Sequence, residues 1–357
     1  MNGAPLKVAF DAGPLLHPST GVGRYTEELA GALEALGVDL KRYAFALRGA
    51  PPEGVARMRI PGRAARALWK AFDRPAVQSL TGDVSVVHGT NFVLPALGGA
   101  PGVVTVHDLS FFRDDVYPGG EFLREAVPWS VRRAAQVIVP TEAIGSELHE
   151  RLGVSPDKIA VTREGVSELF FGASPLSETA LGRLGIPGPY ALAVGTLEPR
   201  KNLARLLQAW TIAAPSLPGW RLVLAGPQGW GPDLPETAGV MPIGRVPDEM
   251  LPGLMAAAGI FCYPSLYEGF GLPPLEAMAA KAPVLAGDYS AAREVLGEGA
   301  LLVDPLDVEA MADGLLHLAD PEAARSLAFA GRAQAAGFTW FDTARRTLEA
   351  YRRAALG

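Results

Sequence analysis

A chain of 357 residues, 49% apolar and 20% charged, exceeds the size at which a single core keeps growing, so two domains are expected. That balance excludes a disordered chain, and a net charge of −6 gives no support to nucleic acid as a main partner. The single cysteine, Cys262, excludes an internal disulfide framework; with no charged segment and apolar run at the start to read as a secretory signal, a cytoplasmic protein is expected.

Lys7–Phe10 is the first strand candidate. After it comes "HPSTGVGRYTEEL", residues 17–29, in which Gly21 and Gly23 let the backbone approach a ligand ahead of a helix over Thr26–Leu36. Thr26 replaces the third glycine of a dinucleotide fingerprint, which counts against a nicotinamide-dependent dehydrogenase; a plain flexible turn accounts for the motif equally. Residues 56–74, "ARMRIPGRAARALWKAFDR", set Arg57, Arg59, Arg63, Arg66, Lys70 and Arg74 against Asp73 alone. As a helix they place Ala65, Leu68, Trp69 and Phe72 on one apolar stripe, suited to an anionic membrane surface or a polyprenyl-phosphate acceptor, or to an ordinary solvated basic face.

Strands are next expected at Val84–His88, Val103–His107, Val137–Val139 and Ile159–Thr162, with a helix over Ala143–Leu152 stopped by Gly153. His107 ends its run, and a histidine at a strand's carboxyl end faces the ligand crevice; a capped strand end with a satisfied imidazole is the alternative. The other histidines, His17, His88, His149 and His317, show no metal-ligand spacing, and no Asp-x-Asp triplet occurs, so no metal site is expected.

After a junction near Phe170–Ser177 the rhythm repeats, with strands expected at Tyr190–Val194, Leu222–Ala225, Ile260–Tyr263, Val284–Ala286 and Leu301–Val303 and a helix over Leu203–Ala213. Alternating strand and helix means parallel sheets covered on both faces, hence an α/β chain of two Rossmann-like domains. In "AVGTLEPRKNLARLLQAW", residues 193–210, Asn202 stands where an N-cap is wanted. Arg200 and Lys201 then sit beside a helix N-terminus, where the dipole disfavours cations and an anion such as a diphosphate would resolve the conflict. The uncharged run Met250–Tyr267 is broken by Pro252, Gly253, Gly259 and Pro264, which argues against a membrane span. It leads into "YEGFGLPPLEAMA", residues 267–279. There Gly269, Phe270, Gly271 and Leu272 form a loop with free amides, Glu268 precedes it, and Glu276 lies in the first turn of the helix beyond, so that one carboxylate stands on each side of a ligand.

The spacing Glu268-x7-Glu276, with "GVGRY", "TVHDLSFF", "GTLEPRKN", "CYPSLYEGFGLPPLEAMA" and "GFTWFDTARRTLEAY" in this order over nearly the whole chain, resembles the retaining GT-B glycosyltransferases of family 4, closest to the bacterial mannosyltransferase-like members. The resemblance implies a GT-B fold: two Rossmann-like domains facing a central cleft, residues 1–172 on the acceptor side and 173–339 binding the nucleotide sugar, with the C-terminal helix 340–357 crossing back to the first. It implies a metal-independent hexosyltransferase without a cofactor, acting on a nucleotide-diphospho-sugar and a glycan, lipid-linked or small-molecule acceptor. GDP-mannose is the first donor expected and a UDP-sugar the second; a non-catalytic nucleotide-sugar-binding protein is the alternative. Carried over by motif, Glu268 contacts the donor hexose, Glu276 the ribose, and Arg200 and Lys201 the diphosphate, with amides of Gly23, Gly271 and Leu272 near it and His107 beside the sugar. Where some relatives have an arginine directly after the strand glycine this chain has Thr196, which leaves the division of phosphate charge between Arg200 and Lys201 open.

Overall fold

Short, continuously apolar runs build the strands, because a parallel sheet covered on both faces has no wet side to favour alternation. The computed structural model describes residues 6–16, 20–49, 52–113 and 117–356, with Arg63 described for its backbone alone. Strands β1 (Lys7–Asp11), β2 (Asp39–Phe45), β3 (Ala56–Met58), β4 (Val86–Gly89), β5 (Gly102–Thr105), β6 (Gln136–Val139) and β7 (Ile159–Val161) form one sheet in the order β3-β2-β1-β4-β5-β6-β7. A second sheet runs β10-β9-β8-β11-β12-β13, from β8 (Tyr190–Val194), β9 (Arg221–Ala225), β10 (Val240–Gly244), β11 (Ile260–Tyr263), β12 (Val284–Gly287) and β13 (Leu301–Val303). Every pairing in both is parallel.

All four residues are buried in each of β4, β5, β6, β11 and β12, which is why these strands stand out in the sequence. Three strands do not. β2 (DLKRYAF) is half-buried and interrupted by charge, β3 has only three residues, and β10 carries Pro242, a residue tolerated at the edge position that β10 occupies.

The chain divides into two units: residues up to Gly165 with the segment from Trp340 onward, and Val166–Thr339; the family resemblance implies a junction at 172/173. The first unit holds the seven-stranded sheet, and the C-terminal helix Trp340–Leu356 returns to it, burying Ala344, Ala350, Tyr351 and Ala354. The second has its own core, in which Trp210, Leu206 and Leu207 of helix Leu203–Ala213 meet Leu222, Leu224 and Ile260 of the sheet. Strand order reverses between β1 and β4 in one sheet and between β8 and β11 in the other, and open parallel sheets bind ligands outside the strand carboxyl ends at such points.

Candidate functional site

In the second unit the chain leaves β8 through Gly195 into a 3-10 turn, Pro199–Lys201, and Asn202 follows in the left-handed region with φ 58°. Asn202 occupies the N-cap position of helix Leu203–Ala213, but its side chain makes no cap hydrogen bond. Its amide instead donates to the carbonyls of Pro264 (3.0 Å) and Pro305 (2.6 Å), pinning the turn to the ends of β11 and β13. The backbone reinforces this, the Leu266 amide donating to Arg200 O at 2.9 Å. Arg200 and Lys201 are thus held against the segment that follows β11.

That segment delivers Glu268, which is 7% exposed. Lys201 Nζ donates to Glu268 Oε1 at 2.7 Å and to the Tyr263 hydroxyl at 2.7 Å. Arg200 donates to Glu268 Oε2, to Tyr267 O at 3.1 Å, and through Nη2 to Glu198 Oε1 at 2.7 Å. The cations expected to conflict with the helix dipole are therefore balanced within the protein by Glu198 and Glu268. Burial pushes the Glu268 carboxyl up, yet Arg200 and Lys201 outweigh it and hold the group down to about 2. Burial lowers the Lys201 ammonium, with Glu268 opposing that shift. Buried charges of this kind persist only when paired and hydrogen-bonded, and removing one partner is costly.

Phe270, Gly271 and Leu272 follow Glu268 into the helix Leu272–Ala279, every residue of which is buried except Pro273. Gly271 has φ 100°, a conformation that costs glycine nothing and would strain any side chain. Glu276 is 2% exposed and lies in the second turn, not the first, because the helix starts at Leu272 and both prolines fall within its opening turn. Dipole compensation at the first turn therefore does not account for it.

The first unit places its residues differently from the sequence expectation. The helix begins at Gly21, earlier than Thr26, with Thr20 as its cap: Thr20 Oγ1 accepts from Gly23 N at 3.1 Å, so that amide is engaged. His17, Pro18 and Ser19 of the same motif lie outside the described residues. His107 stands two residues beyond β5 and is 8% exposed. Its Nε2 donates to Thr90 O at 2.9 Å, its Nδ1 lies 3.5 Å from Glu164 Oε1, and Tyr25 and Phe92 pack edge-on against the ring at 4.7 and 5.6 Å. The basic helix runs Gly62–Phe72, and its expected apolar stripe is split: Ala65 and Trp69 point into the core, while Leu68 and Phe72 are 38% and 71% exposed. Lys70 pairs with Glu125 and Arg66 lies over the Phe122 ring, so part of its charge is engaged; the Arg63 side chain lies outside the described residues.

Sequence reasoning misses Glu198, Tyr263 and Glu164. Tyr263 ends β11 at the switch point, and the strand-end rule is the signal that finds it; Glu164 sits in an irregular segment after β7 with no periodicity to mark it. Among the described residues no group of three or more His, Cys, Asp or Glu side chains is placed to hold a metal ion.

Two family models match the chain: Glycosyltransferase Family 4 over residues 19–168 and Glycosyl transferases group 1 over residues 188–320. The O-antigen chain mannosyltransferase B of Escherichia coli is 31% identical, over 97% of this chain and 100% of that protein. Among solved structures, the sucrose-phosphate synthase of Thermosynechococcus elongatus superposes with a TM-score of 0.74 at 22% identity, covering 97% of this chain and 98% of that one. Anabaena Alr3699/HepE in complex with UDP-glucose superposes with a TM-score of 0.75 at 18% identity, covering 96% and 98%. At these identities the structural likeness establishes the fold alone, the two-sheet GT-B arrangement.

Proposed function

The chain belongs to the family 4 glycosyltransferases, and on that premise we propose that it transfers a hexose, with retention, from a nucleotide-diphospho-sugar to a glycan acceptor. The observation that carries the reading is the buried constellation of Arg200, Lys201 and Glu268 at the switch point of the second sheet. In this proposal the diphosphate takes the place of Glu268 as counter-ion to Arg200 and Lys201. The carboxylate is then free to accept hydrogen bonds from the hexose hydroxyls. As the bond from the sugar to the β-phosphate oxygen breaks, both cations stabilise the charge on the leaving nucleoside diphosphate, and the acceptor oxygen bonds to the sugar on the same face. Glu276 accepts from the ribose, and the loop Phe270–Leu272 lines the ligand. Gly21, Gly23 and His107 keep in this proposal the ligand roles that the family likeness implies; the Gly23 amide, which donates to Thr20 Oγ1, would exchange that bond for one to the ligand.

GDP-mannose is the first donor proposed, in keeping with the mannosyltransferase named among the relatives, and a UDP-sugar the second, in keeping with the UDP-glucose of the structural neighbour. The test is release of nucleoside diphosphate from GDP-mannose and UDP-glucose with a mannan oligosaccharide as acceptor. Release of GDP or UDP with acceptor glycosylation is expected; binding without release would favour the non-catalytic alternative, and neither binding nor release would sink the reading.

No helix among the described residues is long and apolar enough to cross a membrane. We extend the proposal to a cytoplasmic enzyme whose helix Gly62–Phe72 touches an anionic membrane through exposed Leu68 and Phe72, with Arg59 and Arg74 flanking them. Co-sedimentation with anionic vesicles but not neutral ones at low salt is expected, and equal sedimentation with both would refute the contact.

A further inference from the structure

Tyr289 follows β12 directly and stands at the start of helix Ser290–Leu296. Its hydroxyl is buried from solvent and has no hydrogen-bond partner. A hydroxyl taken out of water without a partner is a net cost, so its position needs an explanation. The neighbourhood supplies one. A Cβ built on Gly271 would lie 3.8 Å from the Tyr289 hydroxyl, which places that oxygen against the backbone at the head of helix Leu272–Ala279. Burial, followed by the nearby Glu268 carboxylate, raises the phenol well above its ordinary range, so the group is a hydrogen-bond donor throughout the working pH range.

Strand order brings this donor to Glu268 from the strand next to β11. β11 lies between β8 and β12, and Glu268 follows β11. Arg200 and Lys201 reach Glu268 from the β8 flank; Tyr289 comes from the β12 flank. The hexose is the part of the donor assigned above to Glu268, and the Glu268 carboxylate is close enough to act on the Tyr289 phenol. We infer that the Tyr289 hydroxyl donates a hydrogen bond to a hydroxyl oxygen of the transferred hexose, making Tyr289 a specificity-determining residue of the donor site beside Glu268. The inference rests on the glycosyltransferase reading above. The unpaired hydroxyl is a cost of the ligand-free protein, and the sugar removes it, so part of the preference for donor over spent nucleotide arises here.

The experiment is calorimetric titration of wild type and Tyr289→Phe with GDP and GDP-mannose, and with UDP and UDP-glucose, alongside thermal unfolding without ligand. Phenylalanine keeps the ring and removes only the oxygen. Weaker nucleotide-sugar binding by about 3- to 10-fold, with nucleoside diphosphate affinity unchanged, is expected. The ligand-free variant should melt at the same temperature as wild type or higher, because an unsatisfied hydroxyl is gone; a role in the fold alone would lower it. Equal weakening for diphosphate and nucleotide sugar would overturn the inference in favour of a phosphate contact. Unchanged affinity for all ligands would overturn it in favour of a hydroxyl satisfied by water. If wild type itself binds no nucleotide or nucleotide sugar, the glycosyltransferase reading fails and this inference with it, a result distinct from a wild type that binds and a variant that binds equally well.

Discussion

Removing the Glu268 carboxylate changes two balances at once, because it is both the proposed hexose ligand and the counter-ion of Arg200 and Lys201. Glu268→Gln should cut transfer by roughly 100-fold or more through loss of sugar positioning. It should leave nucleoside diphosphate affinity intact or tighten it, since the two cations lose their internal competitor. Glu276→Ala should instead weaken diphosphate and nucleotide sugar alike, by about 1–3 kcal/mol. Titration of both variants with GDP and GDP-mannose, paired with turnover, checks this; if Glu268→Gln loses GDP binding as badly as Glu276→Ala, the division of roles is wrong. The pH dependence has a definite sign. The Glu268 carboxyl sits at about 2 when folded against an ordinary 4.5, so its contribution to stability is full above about pH 4.5 and is lost as pH falls through 2. Loss of stability over that window should be smaller in Glu268→Gln. At this scale the motif makes Glu268, Glu276, Arg200 and Lys201 legible in the sequence. Their mutual pairing, and the arrival of Tyr263, Glu198 and Tyr289, are not, because spacing along a chain carries no distance between the ends of neighbouring strands.

The C-terminal helix shows how one element is held by a few buried polar atoms. Tyr351 on that helix hydrogen-bonds His88 Nδ1 at 2.7 Å; His88 Nε2 reaches Thr105 Oγ1 at 2.8 Å, which meets the Tyr25 hydroxyl at 3.0 Å. The chain ties the helix to β4, β5 and helix Gly21–Ala35, and Tyr25 in turn packs on His107. Burial drives the His88 imidazole down to about 3, so it stays neutral in the fold. Between about pH 6.5 and 3 the unfolded chain binds a proton at this position and the folded chain does not. Stability therefore falls as pH falls across that range, by at most about 1.4 kcal/mol per unit from this group. Tyr351→Phe should cost about 1–3 kcal/mol by leaving His88 Nδ1 unpaired, with the pH slope retained because burial causes it. Denaturant unfolding of both proteins from pH 7 to 4 tests the pair of statements; a variant as stable as wild type would refute the role of the bond. The C-terminal helix, Trp340–Leu356, is expected from the family likeness alone, and nothing in its periodicity says which unit it covers. That return followed only from the family likeness. Fully buried strands were legible as apolar runs, whereas β2, β3 and β10 were hidden by charge, brevity and an edge proline.

At the scale of the molecule, length and the repeated alternation of strand and helix were enough to give two blocks, and each block has its own parallel sheet and buried core. The chain passes from the first unit to the second at Gly165–Val166 and back at Thr339–Trp340. Arg200, Lys201, Glu268 and Glu276 all belong to the second unit, and the Tyr351–His88 bond belongs to the first. Units with separate cores are expected to unfold as separate cooperative transitions, and a ligand raises only the transition of the unit that binds it. Calorimetric melting should therefore resolve two transitions. GDP at about 100 times its dissociation constant should stabilise by about 2.7 kcal/mol, chiefly in the transition of Val166–Thr339, which supplies Arg200, Lys201 and Glu276. Tyr351→Phe should lower the other transition. The cross of ligand and variant assigns each transition to a unit without cutting the chain. If GDP and Tyr351→Phe act on the same transition, either the nucleotide is not held by Val166–Thr339 alone or the molecule melts as one cooperative body, and the assignment of the donor to the second unit loses its thermodynamic support.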